Sequence, residues 1–133
     1  MPNKVIAFDI CPVNQLLNTL ANQLELEYDA EGQLAAQGSL DRQLLSAFNQ
    51  AAYYHQAYPK SLDNAWVNTH LLSAIENNPE LVPNQLRTSV EHIASQIAQS
   101  IHQIIDREGL QKESYTLFAT GGGAFNTLSL IHI

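Results

Sequence analysis

The stretch "PNQLRTSVEHIASQIAQSIHQIIDREG", residues 83–109, decides the fold of this chain. Apolar side chains recur in it every three or four residues, at Leu86, Val90, Ile93, Ile97, Ile101 and Ile104. Pro83 suits the first turn of a helix and Gly109 suits a helix end, so the pattern predicts one helix of about seven turns. Because only one face is apolar, this helix requires a surface to pack against, either in its own domain or in a second copy of the chain as a homodimer.

Three shorter helices are expected before the long one. The first follows Pro12 and carries four leucines on one face, namely Leu16, Leu17, Leu20 and Leu24. The second covers residues 40–54 and is expected to bury Leu40, Leu44, Leu45 and Phe48, with Ala52 as a further candidate. The third holds Trp66, Leu71, Leu72 and Ile75, and either Asp63 or Asn64 is expected to cap it.

Two apolar stretches predict strands. "VIAFDI", residues 5–10, has no helical stripe and is expected to be a buried strand that ends near Asp9. "YTLFA", residues 115–119, is the second. The expected fold class is therefore α/β, helix-rich with a few strands. Two strands make too small a sheet to close a domain, so further elements are expected outside this sequence.

Composition narrows the function classes. Among 133 residues, 13 Asp and Glu exceed 6 Lys and Arg, and the formal net charge is −7. A nucleic acid or an anionic membrane surface is an unfavourable partner for such a chain. Cys11 is the only cysteine, and no apolar run approaches the roughly 20 residues of a membrane helix, so a soluble cytoplasmic protein is expected.

Three glycines follow the second predicted strand. Gly121, Gly122 and Gly123 would let a ligand approach the backbone closely, and Asn126 adds a neutral donor and acceptor. A helix starting just after them would direct free N–H groups at phosphate or ribose oxygens. A tight turn packed on a neighbouring helix explains the pattern equally well.

Asp9 is the candidate catalytic residue. A carboxylate at the carboxyl end of a strand lies where open α/β sheets bind ligands, and partial burial would raise its pKa toward a value useful for a general base. The alternative is that Asp9 caps the helix after Pro12. A cysteine nucleophile has less support, because Cys11 suits a small buried residue. A metal site also has little support, because the five histidines lack metal-binding spacing. The tyrosines Tyr53, Tyr54 and Tyr58 suit the core better than a sugar-stacking surface.

Five ordered segments together resemble anhydro-N-acetylmuramic acid kinases. They are "AFDICPVNQLLN" (7–18), "YDAEGQLAAQG" (28–38), "PKSLDNAW" (59–66), "TSVEHIASQIA" (88–98) and "LFATGGGAFN" (117–126). The resemblance implies an incomplete ribonuclease H-like domain of the actin/Hsp70/sugar-kinase type. It also implies a reaction that uses ATP and Mg²⁺ to open 1,6-anhydro-N-acetylmuramic acid and phosphorylate O6, giving N-acetylmuramic acid 6-phosphate for cell-wall recycling. On this resemblance Asp9 is the catalytic base, and Gly121, Gly122, Gly123 and Asn126 form the adenosine-side loop.

The chain departs from the family pattern in two ways. Val13 stands where many members have a glycine, and a positive φ there would strain the turn. The family's N-terminal domain has no counterpart here, so residues 1–127 are expected to be a partial C-terminal kinase domain, inactive alone. Residues 128–133, "LSLIHI", resemble a translated sequencing adapter and are expected to be a non-native tail. The alternative function is a non-catalytic nucleotide-binding or helical interaction module.

Overall fold

The computed structural model describes residues 4–110 and 115–120, and the first range contains the helices. The α-helices are α1 (Asn14–Asn22), α2 (Gln33–Gln37), α3 (Arg42–Asn49), α4 (Asn64–Val67), α5 (Ser73–Asn77) and α6 (Val82–Arg107). Short 3₁₀ turns cover Ala30–Gly32 and Ala52–His55, and a π-helical turn, Asn68–Leu72, joins α4 to α5. Within the described residues, no helix combines the length and the apolar character needed to cross a bilayer.

The long predicted helix is confirmed as α6, whose 26 residues make about seven turns. It has Pro83 in its first turn and ends where Gly109 adopts a left-handed φ of 64°. The Gly109 N–H donates to the Asp106 carbonyl at 3.3 Å, and the Leu110 N–H donates to the Ile105 carbonyl at 2.9 Å. These two bonds satisfy carbonyls that the helix end would otherwise leave free.

The apolar stripe of α6 packs against α1, α2 and α3 of the same chain. Leu86, Val90 and Ile93 are buried, whereas Ile97, Ile101 and Ile104 are only half-buried. Fully buried side chains from the other helices complete the core, among them Leu16, Leu20, Leu44, Phe48 and Leu71. The chain's own helices therefore cover the N-terminal half of the stripe more completely than the C-terminal half.

The backbone after α2 approaches the start of α6 closely. A Cβ on Gly38 would lie 2.0 Å from the Pro83 carbonyl oxygen, so only glycine fits there without rearrangement. Two bonds continue the contact: the Ser39 N–H donates to the Asn84 side chain at 2.7 Å, and the Asp41 N–H donates to the Thr88 hydroxyl at 2.9 Å. These contacts fix α2 and the start of α3 against α6.

The predicted cap of the third helix is confirmed as Asp63, whose carboxylate accepts from the Trp66 N–H at 2.8 Å. The second predicted helix was too long: α3 ends at Asn49, because Ala51 adopts an extended ψ of 129°. Leu40 lies before the Asp41 cap of α3, outside the helix, and is exposed. Leu24 is also exposed, since α1 ends at Asn22.

The prediction of strands differs from the structure, because no strand occurs among the described residues. Residues 5–10 run without regular secondary structure, and the Asp9 N–H donates to the Lys60 carbonyl of a loop at 3.2 Å rather than to a neighbouring strand. Residues 115–120 are exposed and likewise irregular. A strand exists only where a second strand pairs with it, and none of the described segments does so. The helix-rich character is confirmed, and the ribonuclease H-like fold stays a prediction.

Candidate functional site

Asp9 lies in the wall of an open cleft of about 400 Å³. Segment 8–13 and the start of α4 form most of this wall. Apolar groups supply much of the lining, including Phe8, Ile10, Pro12, Val67 and Ile97. The charged groups of the lining are Asp9 and Asp63, and no Lys or Arg is among the lining residues. A surface with carboxylates beside apolar patches suits the hydroxyls and the ring faces of a sugar, and it disfavours phosphate.

The loop of residues 53–62 holds Asp9 through three hydrogen bonds. The Asp9 N–H donates to the Lys60 carbonyl, the Leu62 N–H donates to Asp9 Oδ2 at 2.9 Å, and the Tyr53 hydroxyl donates to the Asp9 carbonyl. The other carboxylate oxygen, Oδ1, accepts no hydrogen bond from the described part of the chain. One oxygen is therefore anchored, and the other is available to a ligand.

The structure revises two expectations for Asp9. The residue is exposed, so the partial burial expected of it is absent from the described structure. The cap interpretation is also wrong, because Val13 is the N-cap residue of α1 and no side chain caps that helix. Asp9 instead fixes the loop that begins α4, through Leu62. Exposure and anchoring together leave its carboxylate accessible in a defined position.

Val13 does not strain the turn after Asp9. Its φ is −120°, which lies outside the left-handed region that favours glycine. The turn from Asp9 into α1 thus accommodates a branched side chain.

Aromatic rings and one cation lie behind Asp9. Phe8 stacks on Tyr58 with ring centroids 5.1 Å apart. The Lys60 ammonium lies 4.6 Å from the Tyr53 ring centroid and 5.8 Å from that of Phe8, and it donates to the Tyr53 carbonyl at 3.0 Å. Burial lowers the pKa of Lys60. The Lys60 ammonium is therefore held beside the aromatic rings that support Asp9.

The three clustered tyrosines are buried in the core, which confirms the interpretation that the sequence favoured over a sugar-stacking surface. Tyr53, Tyr54 and Tyr58 are buried, and the Tyr54 hydroxyl lies 2.9 Å from His92 Nε2. His92 Nδ1 lies 2.6 Å from Asn49 Oδ1, which can only accept, so Nδ1 carries the proton and Tyr54 donates to Nε2. Sequence reasoning missed this buried network, although a histidine beside Ile93 in the apolar stripe of α6 was a visible signal.

Cys11 is not an activated nucleophile. Burial raises the pKa of its thiol to about 12, so the reactive thiolate is scarce at neutral pH. The sequence predicted a small buried residue, and Cys11 is partly buried against the core and lines the cleft. The part of the chain that the structure describes also brings together no group of three His, Cys, Asp or Glu side chains that could hold a metal ion.

The predicted nucleotide loop lies outside the described residues. Gly121, Gly122, Gly123 and Asn126 all fall in the range 121–133. Their role and their distance from Asp9 stay predictions. The same holds for the predicted non-native tail, residues 128–133.

The described residues form a helix-rich domain in which the anchored, accessible carboxylate of Asp9 lies on an open cleft. Comparison with known sequences gives the family. The family model described as anhydro-N-acetylmuramic acid kinase matches residues 1–133, and the chain belongs to that family. The resemblance found in the five sequence segments is confirmed.

Individual relatives agree with the family match. A protein of Shewanella oneidensis named anhydro-N-acetylmuramic acid kinase is 35% identical over 129 residues, which are 92% of this chain. Proteins of the same name from Cupriavidus pinatubonensis and Albidiferax ferrireducens are 33% and 29% identical, over 92% and 97% of the chain. In each case the match covers 32% of the relative, so the chain spans about a third of the length of these relatives.

Proposed function

We propose that this chain is part of an ATP-dependent kinase that opens 1,6-anhydro-N-acetylmuramic acid with water and phosphorylates its O6. The product is N-acetylmuramic acid 6-phosphate, which cell-wall recycling consumes in the cytoplasm, where ATP is available. Membership of the family supports the substrate and the phosphoryl donor. The observation that carries the proposal is Asp9, a carboxylate with one oxygen anchored and the other free of bonds from the described residues, on a cleft whose described lining includes no Lys or Arg.

Asp9 is the general base of this reaction. The available oxygen, Oδ1, takes a proton from the water whose oxygen bonds to C1 of the sugar. As that bond forms, the C1–O6 bond breaks and its electron pair stays on O6. O6 then bonds to the γ-phosphorus of ATP, the bond from that phosphorus to the bridging oxygen breaks, and ADP leaves. Attack of water opposite a departing oxygen is the geometry of an inverting glycosidase.

The adenosine end of ATP binds elsewhere than on the described cleft wall, and only the γ-phosphate has to approach it, because O6 of the sugar attacks the γ-phosphorus. The described lining offers the other phosphates two carboxylates, Asp9 and Asp63, and no Lys or Arg. We assign the adenosine side to Gly121, Gly122, Gly123 and Asn126, whose backbone N–H groups suit phosphate or ribose oxygens. Mg²⁺ enters as the complex with ATP, and no residue of this chain is assigned as its ligand.

Residues 1–127 form part of the C-terminal domain of a longer kinase with a ribonuclease H-like fold, and residues 128–133 are a non-native tail. The chain's spanning about a third of its relatives supports the assignment to a longer kinase. The proposed tail rests only on the likeness of "LSLIHI" to a translated adapter. The 133-residue chain alone is expected to transfer no phosphate, because Asp9 has no opposing domain to hold the sugar and exclude bulk water. Long-read sequencing of the source DNA tests the division: a stop codon directly after Ile133 in native DNA contradicts it.

The kinase that contains this chain, expressed from the extended reading frame, tests the role of Asp9. Asp9→Asn keeps the shape of the side chain and removes the base, so kcat should fall about 10²- to 10⁴-fold with ATP binding retained. Asp41→Asn is the matched control, since it removes the same charge from a helix cap outside the cleft and keeps the cap. ADP release coupled to the appearance of the sugar phosphate measures both. Activity of Asp9→Asn equal to that of Asp41→Asn refutes the assignment.

A further inference from the structure

Asp9 is held in place by a loop and not by regular secondary structure. Residues 5–10 belong to no helix or strand, so no ladder of backbone bonds fixes the orientation of Asp9. Three contacts do so instead, and each reaches a different atom of Asp9: its N–H, its carbonyl and its Oδ2. The contact to the carbonyl is the only one of these that a side chain makes, and that side chain is Tyr53.

We propose that Tyr53 is a positioning residue, whose hydroxyl holds the Asp9 backbone so that the free carboxylate oxygen faces the cleft. This inference rests on the proposed function, in which Asp9 is the base. Tyr53 is not among the residues that line the described cleft, so in this proposal it acts only through Asp9. A hydrogen bond from the hydroxyl fixes the carbonyl of Asp9, and a fixed carbonyl limits rotation of the peptide that carries the catalytic side chain.

Tyr53 is itself rigidly held at both ends. Its carbonyl accepts from the Lys60 ammonium at 3.0 Å, and the same ammonium lies 4.6 Å from the centre of its ring. The ring packs against Trp66 and Tyr54, with centroids 5.4 and 6.0 Å away. The Tyr53 side chain therefore has little conformational freedom, and its hydroxyl is held beside the Asp9 carbonyl. Burial, followed by the nearby Asp9 charge, raises the pKa of Tyr53 to about 12, so the hydroxyl remains a donor across the working pH range.

Tyr54 provides a matched control beside Tyr53. Both residues are buried in the same 3₁₀ turn, and each hydroxyl makes one hydrogen bond to a group distant in sequence. The Tyr54 hydroxyl bonds to His92 instead of Asp9. Replacing either tyrosine by phenylalanine removes one buried hydroxyl and keeps the ring, so both variants lose stability of the same order. Only the change at Tyr53 should alter catalysis.

Steady-state kinetics of the complete kinase tests the proposal. In Tyr53→Phe we expect kcat to fall about 10- to 100-fold while the KM values for sugar and ATP stay within about twofold, because binding is intact and the base is misplaced. In Tyr54→Phe both parameters should stay at the wild-type values. Each kcat is divided by the fraction of molecules that bind ATP, which calorimetry measures. A lower amount of folded protein is then not mistaken for a lower catalytic rate.

A double variant separates this inference from the proposed function. When Asp9→Asn has already removed the base, adding Tyr53→Phe should lower kcat no further. If Asp9→Asn retains wild-type activity, the proposed function fails. If Asp9→Asn is inactive while Tyr53→Phe and Tyr54→Phe are both as active as the wild type, the positioning role fails and the proposed function survives. A further loss in the double variant also refutes positioning through Asp9.

Amide hydrogen exchange gives a readout independent of turnover. In the same complete kinase, Tyr53→Phe should speed exchange at the Asp9 and Leu62 amides, which donate to Lys60 and to Asp9. Tyr54→Phe should leave those two amides protected. Unchanged protection at Asp9 in Tyr53→Phe overturns the proposal, because the loop would then hold Asp9 without the hydroxyl.

Discussion

Acidification should destabilise this chain through one buried side chain, His92. Burial lowers its pKa from 6.5 to about 4, since a charged imidazole in the core loses its hydration. The ring packs 5.2 Å from the Phe48 ring and is held neutral between Tyr54 and Asn49. The unfolded chain exposes the imidazole and restores its ordinary pKa. As pH falls below 6.5, the unfolded state therefore binds a proton before the folded state does.

The size of the effect follows from the two pKa values. The folded pKa lies below the unfolded one, so the contribution to stability is complete above pH 6.5 and is lost as pH falls toward 4. At 1.36 kcal/mol for each unit, the whole shift corresponds to about 3 kcal/mol. Of this, about 2 kcal/mol is lost between pH 7 and pH 5. A loss of that size is a large fraction of the stability of a typical small domain.

Urea unfolding followed by far-ultraviolet circular dichroism measures this loss at pH 7 and pH 5. Carboxylates also begin to titrate in this interval, so the comparison with His92→Gln isolates the imidazole. The wild type should lose about 2 kcal/mol more than His92→Gln over the interval. His102→Gln removes an exposed histidine from the same helix and should lose as much as the wild type. Equal losses in the wild type and His92→Gln would refute the reasoning.

Further substitutions probe the packing and the helix ends, and chemical unfolding at pH 7 measures each. Gly38→Ala should cost about 3 kcal/mol or more, because the new Cβ would lie 2.0 Å from the Pro83 carbonyl oxygen and backbone atoms would have to move. A Cβ on Gly109 would meet no atom within 4 Å, so Gly109→Ala should cost only about 1–2 kcal/mol, for placing alanine in the left-handed region. A loss as small as this in Gly38→Ala would contradict the close approach at Gly38. Asp63→Ala should cost about 1 kcal/mol, whereas Asp63→Asn should cost much less because asparagine also caps helices. Equal losses in the two variants would argue against the cap. Phe48→Ala should cost about 3–5 kcal/mol, and a loss below 1 kcal/mol would show that the site is not core.

The long helix could be predicted because its signals are local. Seven turns of apolar periodicity, Pro83 at the start and Gly109 at the end agree with one another, and each acts within a few residues. The Asp63 cap is local in the same sense, since its carboxylate reaches an N–H three residues away. Local agreement of this kind is the part of a fold that one sequence specifies.

Predictions that depended on distant partners failed or were incomplete. A strand over residues 5–10 needs a second strand, and apolar composition alone does not provide one. The helix over residues 40–54 overran because hydrophobic periodicity continues past Asn49, whereas the backbone turns at Ala51. The hydrogen bond of His92 to Tyr54 joins residues 38 positions apart, so no local pattern indicates it.

The sequence likewise predicts only part of the candidate site. Asp9 is visible in the sequence because a carboxylate ends an apolar run, but the atoms that hold it come from residues 44 to 53 positions away. Two of these contacts use backbone atoms of Lys60 and Leu62, which any residue type would supply. Tyr53 is the exception, since only its side chain carries the hydroxyl. A single sequence therefore indicates the candidate base, but it does not indicate the loop that holds this residue.

Stability and the position of Asp9 depend on different parts of this chain. The core is formed where α1, α2 and α3 cover α6, and fully buried residues such as Phe48 and Leu86 determine its free energy of unfolding. Asp9 lies outside that core, exposed, and is fixed by three hydrogen bonds from one loop. Loss of one such bond changes the orientation of a carboxylate while the helices stay packed. Core substitutions such as Phe48→Ala should therefore change only the fraction of folded molecules, whereas Tyr53→Phe should also change the rate of each folded molecule.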